Sequence, residues 1–241
     1  MDDLKIQIME TYDEIAGDFD PTRPHPWPET MEFVKSLSKG QKILDLGCGT
    51  GRNSVYLASQ DLQVVGIDFS SNMLGIAYQK GREMNAGDNP AFIRADIMEL
   101  PFRASTFDAA IFIAALHHIP NEIYRLAALD ELFRCLKPGA KVLVSVWAFD
   151  QPRFREVMEE QVEKGDKKIV PKRRSENEPC SVPDGSPGDV YVPWTRNDGS
   201  VFKRFYHLFR ENELDELLKK SQFGVQEVYR VKDNYYAKLS K

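Results

Sequence analysis

Gly47, Gly49 and Gly51 recur at two-residue spacing in the stretch ILDLGCGTGRN, Ile43 to Asn53. Asp45 stands two residues before the first of them, and Asp68 closes a later apolar run, VVGID. Glycines so spaced make a turn too tight for side chains. With an apolar run before it and a helical pattern after it, such a turn aims a helix N-terminus at a ligand. An acid about 20 residues further on is where a nucleotide-binding βαβ unit holds a pair of ribose hydroxyls. Two ligands suit the turn. Dinucleotide sites use GxGxxG, and here Arg52 falls where the third glycine belongs. Asp45 would repel a pyrophosphate, whereas it suits a cationic ligand carrying an ammonium.

Other residues can do chemistry, each beside a plainer role. Asp96 is either a ligand contact or a helix cap before Ile97. His117 and His118 follow an apolar run, where one is expected to be a buried hydrogen-bonding group and one to touch a substrate. Tyr12 and Phe19 at helical spacing are more often core than ligand clamps.

The elements that must position these groups follow from periodicity. A helical pattern covers Tyr12 to Phe19, and DPTRPHPWPET then forbids a long helix or central strand by its prolines, suggesting a rigid lid over residues 1–40. A helix is expected at Glu29 to Leu37, then strand Lys42 to Leu46, helix Arg52 to Ser59, strand Gln63 to Ile67, helix Asn72 to Met84 and strand Ala91 to Arg94. The apolar run Phe107 to Ala114 and a helix from Glu122 to Leu136 follow; Lys137-Pro138-Gly139 stops that helix before strand Lys141 to Trp147. Strands alternating with helices argue for an α/β fold, a parallel sheet with helices on both faces. From about residue 150 to 200 the pattern breaks into a mobile insertion whose segment Lys164 to Arg174 carries six basic residues against one acid. Order is expected again at Val190 to Trp194 and Arg204 to Phe209. A helix near Glu211 to Ser221 and an antiparallel hairpin turning at Lys232-Asp233 close the chain.

At 241 residues one domain, 1–241, can bury a single core. A composition of 42% hydrophobic and 29% charged residues is that of a globular protein. No apolar run approaches the roughly 20 residues that span a bilayer, so no membrane partner is expected. Cys48, Cys135 and Cys180 show no metal spacing and cannot all pair, which favours a reducing, cytoplasmic setting and no metal site. A net charge of −5 means that any nucleic acid must be met by a local patch or with a partner's help.

Taken together, ILDLGCGTGRN, RADIMELP, FDAAIFIAALHHIP and LKPGAKVLVSVW resemble the motifs of class I methyltransferases that use S-adenosyl-L-methionine. The resemblance implies a Rossmann-like, seven-stranded, mostly parallel sheet with an antiparallel C-terminal hairpin strand. It places Tyr12, Asp45, Gly47, Cys48, Gly49, Gly51, Asn53, Asp68, Phe69, Met73, Asp96, Ile97 and Ala114 around the cofactor, with Asp68 on the ribose and Asp96 facing the adenine. Absences then narrow the acceptor. No Asn-Pro-Pro-Tyr-like cluster serves an adenine amino group, and no cysteine follows the fourth strand to attack a pyrimidine. What remains is an acceptor that needs little activation. A carboxylate ordinarily ionises with a pKa of about 4, so it needs no general base and is methylated by alignment at about 3 Å.

The flanks YDEIAGDFDPTRPHPWP, WAFDQ, DVYVPWTR and YHLFRENEL with VYRVKDNYY are similar to those of the tRNA wobble-uridine carboxymethyl methyltransferases, a family that includes the methyltransferase domain of an AlkB homologue. That resemblance implies esterification of 5-carboxymethyluridine in a tRNA anticodon stem-loop. It assigns catalysis to His117, Arg23 and Arg210, the two arginines gripping the carboxylate or a nearby phosphate, and substrate binding to His25, His118, Trp147 and Tyr206, with Trp147 stacking on the flipped-out uracil. It also implies a small zinc-binding activator protein as partner. Rival readings are a methyltransferase for a small carboxylic acid or quinone precursor, and a non-catalytic cofactor-binding subunit or dehydrogenase.

Overall fold

The computed structural model describes residues 3–22, 25–84, 90–152, 154 and 188–241. Arg23, Cys180, the basic segment 164–174 and most of the expected insertion lie outside the described residues.

A seven-stranded sheet in the order β3-β2-β1-β4-β5-β9-β8 organises the chain. Its parallel half comprises β1 (Lys42–Leu46), β2 (Gln63–Asp68), β3 (Ala91–Arg94), β4 (Phe107–Ile113) and β5 (Leu136–Trp147). β9 (Asn234–Ser240) runs antiparallel between β5 and β8 (Gly224–Val231), giving the antiparallel hairpin strand expected from the C-terminal pattern. Register follows the period-2 alternation of apolar residues. Leu44, Ala110, Phe112, Val142 and Val144 face one side, where they pack with Leu129, Leu132, Leu214 and Leu217. Ile43, Val64, Ala109, Ile111 and Leu143 face the other, against Phe33, Leu57 and Ala58. Strands apolar on both faces, as β4 is, require helices on both faces. Truncating Phe112, which is fully buried, would cost about 3–5 kcal/mol.

The helices are α1 (Asp3–Phe19), α2 (Pro28–Val34), α3 (Arg52–Ala58), α4 (Ser71–Glu83), α5 (Glu122–Cys135) and α6 (Glu213–Lys219). Three of them start where backbone donors find a partner or need none. Pro28 opens α2 without an N–H to satisfy. The Ser70 and Asn121 side chains accept the Met73 and Tyr124 amides at α4 and α5.

Most boundaries shift by one to three residues from the sequence expectation, and the largest shift of a strand is at β5. β5 begins at Leu136, ahead of the Lys-Pro-Gly turn, because Leu136 pairs with Phe107 across a register shift before regular pairing resumes at Lys141. The order expected again from Val190 is present, starting at Asp189. β6 (Asp189–Thr195) pairs antiparallel with β7 (Val201–His207) in a separate two-stranded sheet. Pro193 is tolerated because the sheet has two strands and hence only edges. One buried knot fixes this hairpin to the body. His207 Nδ1 meets Asp189 at 2.7 Å, and His207 Nε2 meets Glu213 of α6 at 2.6 Å.

Candidate active site

A cavity of about 200 Å³ opens at the C-terminal ends of the parallel strands and runs from the glycine turn to the β6–β7 hairpin. Its first end is assembled by residues close together in sequence. β1 leads into Gly47, Cys48, Gly49 and Thr50, all on the wall, and α3 follows at Arg52. Gly49 has φ of 55°, and a Cβ there would meet no protein atom within 4 Å, so it faces open cavity where a ligand's atoms would lie. This is a cradle fitted to a nucleoside cofactor. Gly51 does other work: a Cβ on it would sit 2.8 Å from Ala77 Cβ, so it permits helix packing and lies off the wall.

Asp68 ends β2 on the wall. Its Oδ2 accepts the Gly49 amide at 2.8 Å and its Oδ1 the Ser70 amide at 2.9 Å. Each oxygen keeps an acceptor site for a ribose hydroxyl, and the two amides hold the carboxylate still. Burial raises its pKa, with these backbone bonds working the other way. Asp45 lies beneath the turn rather than on the wall, and its Oδ2 accepts the Ser54 hydroxyl at 2.6 Å. Burial pushes its pKa up to about 7. The same effect raises the Cys48 thiol well above its ordinary value, so Cys48 shapes the wall as an unreactive thiol.

Phe69, Met73, Asn53, Asp96, Ile97 and Ala114 also line the cavity. Asp96 Oδ1 accepts the Met98 amide at 2.9 Å, and its Oδ2 is paired with Lys5 of α1 at 2.5 Å. Ala114 adopts φ of 54°, uncommon for a residue with a Cβ, and its amide is held by Ser145 Oγ at 3.0 Å. Asn53 Oδ1 accepts the Trp27 amide at 3.3 Å, and the Arg52 guanidinium lies 5.0 Å from the Trp27 ring centre. The proline-rich segment is thus tied to the start of α3.

The opposite end is aromatic and built from distant residues. Tyr12 of α1, His118 after β4, Trp147 at the end of β5 and Tyr206 of β7 all reach the wall. His118 Nδ1 lies 2.9 Å from the Phe205 carbonyl, which can only accept, so Nδ1 carries the proton. Nε2 lies within hydrogen-bond reach of the Tyr12 hydroxyl, at 3.0 Å. That hydroxyl also meets the Tyr206 hydroxyl at 3.3 Å. A chain of hydrogen bonds linking Tyr206, Tyr12, His118 and the backbone of β7 fixes the imidazole and pins α1 to the hairpin.

Of the two histidines expected at the site, only one reaches the cavity. His117 is fully buried behind the wall, and its Nδ1 accepts the Trp147 amide at 3.1 Å. His118, one residue on, is the ring on the cavity. Both lie in the 3-10 turn Leu116–His118, whose successive side chains point to different sides. Trp147 is already stacked on Tyr206, centroids 4.4 Å apart and planes 9° apart, which occupies the face expected for a uracil. Arg210 is exposed and packs on Phe149 at 5.0 Å, off the wall. The His25 ring is exposed and also off the wall; its carbonyl faces Arg52 at 3.5 Å.

Lys5, Trp27 and Arg52 are among the wall residues that escape a reading of the sequence alone. Lys5 shares a stripe with Ile8, Met9 and Tyr12, the helical spacing that could have revealed it. Trp27 lies within the proline-rich motif, and Arg52 stands out in the sequence only as a departure from GxGxxG. Among the described residues no group of three or more histidines, cysteines or acids can hold a metal, and no helix is long and apolar enough to cross a membrane.

Comparison with known proteins places this geometry. A family described as a methyltransferase domain matches residues 43–139. A Xenopus tropicalis protein named tRNA (carboxymethyluridine(34)-5-O)-methyltransferase alkbh8 is 32% identical over 97% of this chain and 40% of its own length. A Schizosaccharomyces pombe protein of the same enzyme name is 29% identical over 95% of this chain and 93% of its own. The chain thus spans about two fifths of the frog relative and nearly all of the yeast one. Among solved structures, a Methanosarcina mazei SAM-dependent methyltransferase superposes with a TM-score of 0.68 at 24% identity, covering 90% of this chain and 98% of that one. The DhpI–SAH complex gives 0.66 at 20% identity, covering 97% of each. By its strand order, and by the match over residues 43–139, the chain carries a methyltransferase domain with the fold of these S-adenosylmethionine-dependent methyltransferases.

Proposed function

We propose that this enzyme esterifies the carboxylate of 5-carboxymethyluridine at the wobble position of tRNA. One observation carries the reading. The aromatic end of the cavity is made by Tyr12, Trp147 and Tyr206, which lie outside the matched domain of residues 43–139, and the likeness to the frog and yeast tRNA methyltransferases extends over these same elements. Bound in the glycine cradle, S-adenosylmethionine supplies an electrophilic methyl on sulfur. Gly47, Gly49 and the Asp68 carboxylate hold its nucleoside, and Asp96 stands at the adenine end. Tyr12 and His118, locked by their hydrogen bonds, shape the approach of the acceptor. No residue need take a proton, because a carboxylate is ionised at neutral pH. Alignment and exclusion of water are the protein's work.

The cytoplasm is the compartment such a tRNA enzyme occupies. A small zinc-binding activator is a fitting helper, since among the described residues β3 is an outer strand of the sheet, with an edge to which a strand can be added. Incubating the enzyme with such an activator, S-adenosylmethionine and tRNA that lacks the ester tests the assignment. Mass spectrometry of the digested nucleosides should show the methyl ester of 5-carboxymethyluridine. Methylation of a small carboxylic acid with no change in tRNA would overturn it.

A further inference from the structure

Strand alternation puts Phe202, Arg204 and Tyr206 on one face of β7, beside Trp194, Val192 and Val190 of β6. Arg204 is 6% exposed. Its guanidinium carbon lies 4.8 Å from the Trp194 ring centre and 5.3 Å from that of Tyr206. Its Nε and Nη1, which carry three of the five N–H donors, are buried and meet no acceptor among the described residues. Among the described residues no carboxylate pairs with it. An arginine stays charged at any physiological pH, and burying that charge without a counter-ion is costly. The aromatic rings offset part of the cost, but ring faces do not accept the in-plane N–H groups.

Arg125 shows how this protein treats a buried arginine it uses for structure. At 4% exposure, its Nη1 donates to the Ile119 carbonyl at 3.0 Å and Asp189 and Glu213 compensate its charge, although its Nε, like that of Arg204, meets no acceptor among the described residues. Arg204 has neither provision. It stands directly behind the aromatic end of the cavity: Tyr206 is on the wall, and Trp194 packs at 5.7 Å on Phe19, which is also on the wall. The contact closing this wall in front of it, Tyr12 to Tyr206, is the long one of the network at 3.3 Å.

We propose that Arg204 is the cation that receives the substrate carboxylate once the Tyr12–Tyr206 contact parts; the assignment rests on the tRNA carboxylate reading above. A guanidinium fork held between two rings presents paired N–H donors to a carboxylate and leaves lone pairs free for attack. One carboxylate oxygen forms the new C–O bond as the methyl–sulfur bond breaks, and that bond's electrons stay on sulfur. A carboxylate and a sulfonium thus become a neutral ester and a neutral thioether. Loss of the negative charge weakens the hold of Arg204 on the product, so one residue favours the acid on entry and the ester on departure.

The test uses two synthetic anticodon stem-loops, one with 5-carboxymethyluridine and one with its neutral carboxamide, each titrated in the presence of S-adenosylhomocysteine. Wild type should bind the acid at least tenfold more tightly than the amide. Arg204→Met should erase the preference while melting temperature and S-adenosylhomocysteine affinity stay unchanged, and Arg204→Lys should retain part of it. Should the methionine variant fail to fold, the wild-type Arg204 Nε resonance decides: the acid must shift it and the amide must not. A preference that survives in folded Arg204→Met, or an unmoved resonance, overturns the role of Arg204 while wild-type methylation of the acid still stands. Absence of both preference and methylation in wild type instead removes the substrate reading, and Arg204 with it.

Discussion

The two ends of the cavity are made in opposite ways. At the cofactor end, the wall from Gly47 to Asn53 and from Asp68 to Met73 comes from two short stretches, and its key contacts are backbone amides on a carboxylate. At the aromatic end, the Tyr12–Tyr206 bond joins residues 194 positions apart, and every contact is a side chain on a side chain or on a distant carbonyl. A main-chain cradle tolerates many sequences provided that its glycines and acid remain. A side-chain wall stands only if four remote elements arrive together. The first suits a cofactor shared by many enzymes, and the second suits one acceptor.

The sharpest way to break this contrast is Asp68→Ala. Losing a charged acceptor of two hydroxyls should cut S-adenosylhomocysteine affinity on the order of a hundredfold, about 2.7 kcal/mol, by calorimetry. A fall of less than about tenfold removes the ribose role. Next is the histidine pair. His118→Ala should lower kcat about tenfold with S-adenosylhomocysteine affinity kept, because Tyr12 loses this hydrogen-bond partner. His117→Ala should instead lower stability by about 1–3 kcal/mol in denaturant titration, because the buried Trp147 amide loses its acceptor. The reverse pattern would return His117 to the substrate.

The knot that seats the hairpin gives a pH signature. Burial lowers the His207 pKa, but hydrogen bonds to Asp189 and Glu213 outweigh it and leave the value above 6.5. Stabilisation from the charged ring is therefore complete below pH 6.5 and is lost as pH rises through the folded value. Melting curves across pH should show the gap between wild type and His207→Gln narrowing in alkali; a constant gap would mean that the ring binds as a neutral group. Smaller still is Lys5→Ala. Its partly exposed bond to Asp96 should be worth about two- to threefold in cofactor affinity, and less at high salt. Arg210→Ala should be smallest. From its exposed place on Phe149 it should change KM for tRNA only a few-fold and leave kcat alone. A tenfold loss of kcat would bring Arg210 back to the reacting group.

Much of this protein is written along the chain. Strands β1 and β3 and the Lys232-Asp233 turn fall where alternation and turn chemistry put them, because the two-residue period and a buried face admit one register. The glycine turn and Asp68 are legible for a related reason: their geometry is local, set by backbone φ and by one βα step. The aromatic end is legible only as a set of separate motifs. That His118 rather than His117 meets the cavity, that Trp147 spends a face on Tyr206, and that Arg210 turns away while Arg204 is buried without a counter-ion, are decisions of tertiary structure. Side-chain direction at a turn, and the neighbour across a gap of nearly two hundred residues, depend on how α1 and the β6–β7 hairpin pack. No local period encodes that packing.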